Sequence, residues 1–160
     1  MPKVFSSTKS AYLAGFLDGD GSIYVRLKPN KTYHYFYQVA PNIVFFQSKK
    51  ERRVLEYLQR ITGAGYLRDR KDNIVEYTIG DVESIKSLIK ATLPYLYLKK
   101  RQAKLMLKIL RKKQSIKTAA QFIELAFLID QFGQLNYSKR RVNIGTSVGR
   151  ALKAEGKLTP

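Results

Sequence analysis

The sequence predicts an α+β fold, an antiparallel sheet with helices packed on one face and further helices toward the C-terminus. Three observations predict it. Two stretches of alternating apolar and polar residues each contain a turn signal, at Pro29-Asn30-Lys31 and at Lys71-Asp72-Asn73, and so read as two hairpins. Helical periodicity precedes, separates and follows them, giving the order αββαββα. From residue 96 onward the remaining periodicity is helical.

Ser7 is a candidate N-cap, and Tyr12, Leu13, Phe16 and Leu17 recur at helical spacing, so residues 8–20 read as the first helix. Ile23, Val25 and Leu27 then alternate with Tyr24, Arg26 and Lys28, the pattern of a half-buried strand. After the Pro29 break, residues 33–46 supply an aromatic and β-branched return strand. Residues 49–62 place Val54, Leu55, Leu58 and Ile61 on one side of a helix that ends at Gly63-Ala64-Gly65. Residues 66–70 and 74–79 form the second hairpin, and Asp81 opens the next helix. Residues 96–111 and 119–135 are strongly periodic, and 146–154 form a weaker short element. The 160 residues read as one domain with a helical C-terminal subregion, about 141–160 being a tail.

Composition narrows the function. Thirty Lys and Arg against twelve Asp and Glu leave a formal charge of +18, which points to a polyanionic partner. The absence of cysteine excludes a disulfide framework, a thiolate zinc site and a cysteine nucleophile. His34 is the single histidine, so a histidine-rich metal site is excluded within one chain, and it reads as a nucleic-acid-facing or solvated residue. The apolar run at residues 11–17 is far shorter than the roughly 18 residues of a spanning helix, and Asp18-Gly19-Asp20-Gly21 follows it in place of a cleavage site. Neither a membrane partner nor secretion is expected. A hydrophobic content of 44% argues against disorder, so the chain reads as folded, intracellular or organellar, and bound to nucleic acid.

The sharpest local signal is Leu13-Ala14-Gly15-Phe16-Leu17-Asp18-Gly19-Asp20-Gly21. Gly15 and Gly19 sit one turn apart, where each costs about 1 kcal/mol relative to Ala, and together they make a flat stripe that admits a second backbone. Asp18 and Asp20 fall at the helix C-terminus, where the dipole disfavours carboxylates. A divalent cation on carboxylate and carbonyl oxygens relieves that repulsion, and a solvated Asp-Gly turn accounts for the same residues.

Two further constellations are basic. Tyr24, Arg26 and Lys28 share one strand face, Tyr66, Arg68 and Arg70 repeat the pattern, and Glu76 and Thr78 oppose Val75, Tyr77 and Ile79. With Gln38 and the overall charge, this favours a face that reads a DNA groove over an ordinary solvated one. Residues 99–117 carry nine Lys and Arg, from Lys99 to Lys117, and no acidic residue. Phosphate contact explains this, although a membrane-surface or calmodulin-type helix has the same composition. Asn136-Tyr137-Ser138-Lys139-Arg140-Arg141 is a further candidate backbone contact.

The nine-residue motif is followed in order by Gly63-Ala64-Gly65-Tyr66-Leu67-Arg68-Asp69-Arg70, Leu96-Tyr97-Leu98-Lys99 and Gln102-Ala103-Lys104-Leu105. In this the chain resembles the LAGLIDADG homing endonucleases of single-motif, homodimeric type, over about residues 12–138. The resemblance implies a saddle-like sheet and hydrolysis of double-stranded DNA at a long, partly palindromic site by two paired chains. It also implies intron or intein homing, Mg²⁺ or Mn²⁺, and no small-molecule cofactor. Metal-assisted hydrolysis needs carboxylates and a cation rather than a histidine base, which this composition can supply.

Carried over by position, Asp20 matches the essential acid that binds metal together with the main-chain carbonyl of Gly19. Gln47 matches a polar residue that holds active-site water, and Lys99 a basic residue beside the scissile phosphate. A basic residue is expected where Glu51 stands, and Arg52, Lys49 or Lys50 is available to replace it. Tyr12, Leu13, Gly15, Phe16 and Gly19 fall to the seam between chains. Tyr24, Arg26, Lys28, Asn30, Thr32, Tyr33, Gln38, Arg68, Arg70, Glu76, Thr78, Lys117, Ser138, Lys139 and Arg140 fall to the DNA. The implied location is a chloroplast, a mitochondrion or a prokaryotic cytoplasm. The alternatives are an RNA-binding splicing maturase or a basic nucleic-acid-binding protein without cleavage. Retention of Gly19 and Asp20 argues against the loss of cleavage, and a plain basic protein leaves the glycine stripe unexplained.

Overall fold

The computed structural model describes residues 3–136 and 144–157. Within them the order is α1 (Ser7–Asp20), β1 (Gly21–Pro29), β2 (Tyr37–Ser48), a 3₁₀ turn (Lys49–Glu51), α2 (Arg52–Thr62), β3 (Tyr66–Asp69), β4 (Ile74–Ile79) and α3 (Val82–Thr92). Four helices follow, α4 (Lys100–Gln114), α5 (Ala119–Asp130), α6 (Phe132–Leu135) and α7 (Ile144–Ala154). The four strands make one sheet in the order β1-β2-β4-β3, with β2 and β3 both antiparallel to β4. The expected α+β architecture and its αββαββα order are observed.

Several boundaries differ, among them the start of α4 at Lys100 rather than at residue 96. Ser6, not Ser7, caps α1 by accepting from the Lys9 N–H at 3.3 Å. The return strand starts at Tyr37 because residues 30–36 form a turn: Asn30 Oδ1 accepts from Thr32 N–H and Oγ1 at 3.0 and 2.7 Å, and Asn30 N–H donates to Phe36 O at 2.7 Å. The periodic stretch at 119–135 divides at Gln131 into α5 and α6. Asp130, the last residue of α5, turns its carboxylate to the N–H groups of Ile144 and Gly145, at 2.8 and 2.7 Å, and so caps α7. Part of what reads as a tail is therefore an anchored helix.

The sequence reads as one domain, whereas the internal contacts divide the chain into two compact units, Met1–Ile23 with Pro41–Lys104, and Tyr24–Ala40 with Leu105–Pro160. In the first, α1 packs against α3, and α2 lies on β3 and β4. Leu13, Leu17, Phe45, Leu55, Leu58, Tyr77, Ile85 and Leu88 are buried there. Phe45 and Tyr77 are cross-strand partners whose rings stack at 5.6 Å. Gly65 leads into β3 at φ +78°, and a Cβ there would lie 2.3 Å from the Thr78 carbonyl oxygen, so only glycine fits. In the second unit, α5 packs on α6 and α7 around buried Phe122, Leu125, Ile129, Val148 and Leu152. Tyr35 stacks on Phe122 at 5.1 Å and ties the β1–β2 turn to α5.

Candidate functional site

The end of α1 is the centre of the site in the first unit. One side of this helix is core, with Ser10, Leu13, Ala14 and Leu17 buried. Leu13 is fully buried within its own chain, which removes it from the residues expected at a seam between chains. It shares a face with Leu17 and Ala14, one helical turn away, and that face is packed inward. On the other side, a Cβ at Gly15 or Gly19 would meet nothing within 4 Å. Tyr12 is 46% exposed, and its ring lies 6.2 Å from that of half-buried Phe16 and 5.9 Å from that of Tyr57.

No basic residue occupies the last turn of α1, so its C-terminal carbonyls and carboxylates gather negative potential. Groups from a distant segment of the same chain relieve it. The Asp18 carboxylate accepts from the backbone N–H of Tyr97 at Oδ2, 2.7 Å, and of Lys99 at Oδ1, 3.0 Å. In return, Lys99 Nζ donates to the main-chain oxygen of Asp18 at 2.6 Å. Burial pushes the Lys99 ammonium below its usual pKa, while the charges of Asp18 and Asp20 pull it back up. Lys99 lies just before α4 rather than inside a helix, because residues 93–99 run in turns and bends before α4 starts at Lys100.

Asp20 is exposed, and among the described residues its carboxylate has no hydrogen-bond or ion-pair partner. Among the described residues no three His, Asp or Glu side chains gather into a metal cluster. The Asp20 carboxylate and the Gly19 carbonyl are nevertheless hard oxygen donors at the negative end of a helix, which suits a cation such as Mg²⁺ that keeps waters and shares ligands with phosphate. Gln47 lies opposite Val75 in the β2–β4 register, and its Oε1 accepts from the Ser48 N–H at 2.9 Å. Arg52 opens α2 with its Nε on Glu56 at 3.1 Å and Nη1 on Asp69. Lys49, Lys50 and Glu51 form the preceding 3₁₀ turn, with Glu51 4.0 Å from Arg53.

On the sheet of the same unit, Arg68 and Glu76 are cross-strand partners. Arg68 Nε and Nη2 donate to Glu76 Oε2 at 3.1 and 2.6 Å, and Arg70 Nη1 donates to Oε1 at 3.3 Å. Arg70 Nη2 also reaches Asp72 at 2.6 Å. Tyr66 is 59% exposed, but Thr78 is only 8% exposed, a correction to its place on an open face. It lies on the interior strand β4 with Val44 on one side and Tyr66 on the other, and these larger neighbours cover it.

The second unit holds its own polar set. Val25 and Leu27 are buried while Arg26 and Lys28 are exposed, as the alternation requires, and Arg26 sits over the Tyr24 ring at 5.1 Å. Asn30, Thr32 and Tyr33 are exposed on the turn, with Gln38 half-buried at the start of β2. His34 is exposed, its ring edge-on to Tyr35 at 4.6 Å. Lys117 lies outside α4, its N–H donating to Gln121 Oε1 at 2.7 Å beside the Thr118 cap of α5. Ser138, Lys139 and Arg140 lie outside the described residues.

The role of Asp18 is what sequence reasoning missed. Its partners are 79 and 81 residues away, so no local pattern announces them.

The sequence model of the LAGLIDADG endonuclease family matches residues 13–109. The chain is similar to DNA endonuclease I-CvuI of Chlorella vulgaris, with 36% identity over 150 residues, 94% of this chain and 93% of that one. It is also similar to DNA endonuclease I-CreI of Chlamydomonas reinhardtii, with 35% identity over 142 residues, 88% of this chain and 86% of that one. A crystal structure of the homing endonuclease I-CvuI in complex with its target, in the presence of 2 mM Ca, superposes with a TM-score of 0.89 at 35% identity, covering 96% of this chain and 98% of that one.

Proposed function

Because this chain belongs to the LAGLIDADG endonuclease family, we propose that it is a site-specific double-strand DNA endonuclease acting as a homodimer in intron or intein homing. The observation that carries this reading is the end of α1, where the exposed Asp20 carboxylate lies two residues from the carbonyl that holds the Lys99 ammonium. Asp20 and the Gly19 carbonyl would hold Mg²⁺ or Mn²⁺, which supplies an activated water and neutralises charge at the phosphate. Lys99 has three N–H bonds and spends one on Asp18, leaving two for a phosphate oxygen. Gln47 orients water beside the phosphate, and Arg52 supplies the basic residue that Glu51 does not. The motif occurs once, so one chain contributes one such centre, and two chains meeting through Gly15 and Gly19 provide one per DNA strand.

Sequence is read by the strands. Side chains two residues apart on a strand are about 6.6 Å apart, close to two base-pair steps, so Arg26 and Lys28 on β1, like Arg68 on β3 and Arg70 just past its end, sample alternate base pairs along a groove. A nine-residue strand such as β1 spans roughly 30 Å, about nine base pairs per chain and about twenty for a symmetric pair. No helix among the described residues is long and apolar enough to cross a membrane. The setting is a chloroplast, a mitochondrion or a prokaryotic cytoplasm.

The test is incubation with a pool of randomised duplexes and Mg²⁺, with an EDTA control and the Asp20→Asn variant alongside. Expected is double-strand cleavage at a partly palindromic subset, abolished by EDTA and by Asp20→Asn while Asp20→Asn still binds. Binding without cleavage in Mg²⁺ or Mn²⁺ would support the maturase or binding-protein reading, and cutting by Asp20→Asn at the wild-type rate would overturn the metal site.

A further inference from the structure

Asp18 and Lys99 are joined in both directions. The side chain of Asp18 takes the backbone N–H groups of Tyr97 and Lys99, and the side chain of Lys99 takes the backbone carbonyl of Asp18. Each residue thus fixes the other's main chain, and both oxygens of the Asp18 carboxylate are committed, unlike those of exposed Asp20. Ahead of this segment Leu96 is buried, but the two residues that follow it are open to solvent. Tyr97 is 88% exposed and Leu98 60% exposed, so the amides rather than the side chains of this stretch anchor it. Leu96 N–H still bonds back to Thr92 O at 3.1 Å and Lys99 O accepts from the Ala103 N–H of α4 at 3.0 Å, so the Asp18 carboxylate takes the amides of the stretch between these two helical ends.

Resting on the endonuclease reading above, we propose that Asp18 is a positioning residue that acts through Lys99, holding its backbone so that the ammonium stays beside the end of α1. The carboxylate is suited to this. An ionised acceptor makes short, directional bonds to N–H donors, and two separate oxygens fix two amides of one segment at once. Asparagine offers one oxygen acceptor in place of two, and alanine none. The return bond from Lys99 satisfies an orphan carbonyl of the last turn, so the clamp also orders the backbone that leads into Gly19 and Asp20.

Four variants separate this from a merely structural role: Asp18→Asn, Asp18→Ala, Lys99→Met and the Asp18→Asn/Lys99→Met double. Each is measured for single-turnover cleavage of a duplex that wild type cuts, for duplex affinity without divalent metal, for melting temperature, and for amide exchange at Tyr97 and Lys99. The expected result is a loss of cleavage rate of about 10²-fold for Asp18→Ala and less for Asp18→Asn, with affinity unchanged. In the Lys99→Met background Asp18→Asn costs nothing further, because the two groups act as a unit. The two amides lose protection in Asp18→Ala. Additive losses in the double variant, wild-type cleavage by Asp18→Ala, or parallel falls in melting temperature and affinity would each overturn the proposal. Should Asp18→Ala fail to fold, Asp18→Asn and the double decide it. A wild-type chain that cuts no duplex overturns the endonuclease reading instead, and the amide exchange then still reports whether Asp18 holds the segment.

Discussion

Arg68 and Glu76 face each other directly across the β3–β4 ladder, and the Glu76 side chain, only 14% exposed, divides its two oxygens between Arg68 and Arg70. The two arginines proposed to read bases therefore share one counter-ion in the free chain. That carboxylate orients both guanidinium forks, and it also adds a negative charge that offsets part of their positive charge.

Glu76→Gln is expected to raise affinity for duplexes of arbitrary sequence. Removing one acidic charge per chain makes a further phosphate contact available, so the slope of log K against log salt steepens by about 0.9 per chain. Anisotropy titrations across a salt series measure it. An unchanged slope means that this pair does not face DNA.

Arg70→Ala tests base reading directly. Pairing with a guanine predicts a loss of about 1–3 kcal/mol confined to particular base pairs, repeated at mirror positions in the two half-sites. An arginine that touches only phosphate weakens all sequences alike and lowers the salt slope by about one. Selection of cleavable sites from a random library with both proteins distinguishes the two outcomes.

Gly15→Leu separates folding from assembly. A Cβ there meets no atom beyond its own helix turn within 4 Å, so the melting temperature of the variant should match or slightly exceed that of wild type. Pairing of chains and cleavage should be lost together, as sedimentation with and without DNA will show. Unfolding of the variant would place Gly15 in a contact within the chain.

Tyr77 gives a pH signature of the first unit's core. Burial pushes its phenol from 10.0 up to about 12, the Thr62 hydrogen bond opposes this, and Asp81 adds to it. The folded chain keeps a proton that the unfolded chain releases, so this stabilisation is complete below pH 10 and is lost as pH rises toward 12. Tyr77→Phe should flatten the alkaline fall in melting temperature over that interval. At neutral pH it should cost about 1 kcal/mol, from the bond to Ala64 O at 2.6 Å and the contact with Thr62. A variant with the same alkaline slope as wild type would assign that slope elsewhere.

Alternation made the strands legible: Val25 and Leu27 are buried and Arg26 and Lys28 exposed, as period-two spacing requires. Asp20 was legible because carboxylates at a helix C-terminus are physically anomalous and because they stand in a recognisable motif. Leu13 and Thr78 were not. A helical period says which residues share a face but not which face is covered, and β4 alone does not reveal that its neighbours bring Val44 and Tyr66 beside Thr78. The 96–111 stretch concealed a turn because its apolar spacing continues through Leu96, while the force that unwinds residues 97–99 comes from Asp18, far away in the chain.

The Asp18 clamp also sets the order in which this protein can acquire its properties. All four strands are complete by residue 79, whereas the clamp waits for residues 97 and 99 and closes a loop spanning 79 to 81 positions. Closing so long a loop costs little more than a shorter one, since each doubling adds only about 0.6 kcal/mol, but it cannot happen before both ends exist. During synthesis the sheet is therefore made before the segment that completes the end of α1, and a chain truncated before residue 97 carries the motif without its tether. Such a fragment has all four strands, but the end of α1 lacks both the amides that take the Asp18 carboxylate and the ammonium that takes its carbonyl.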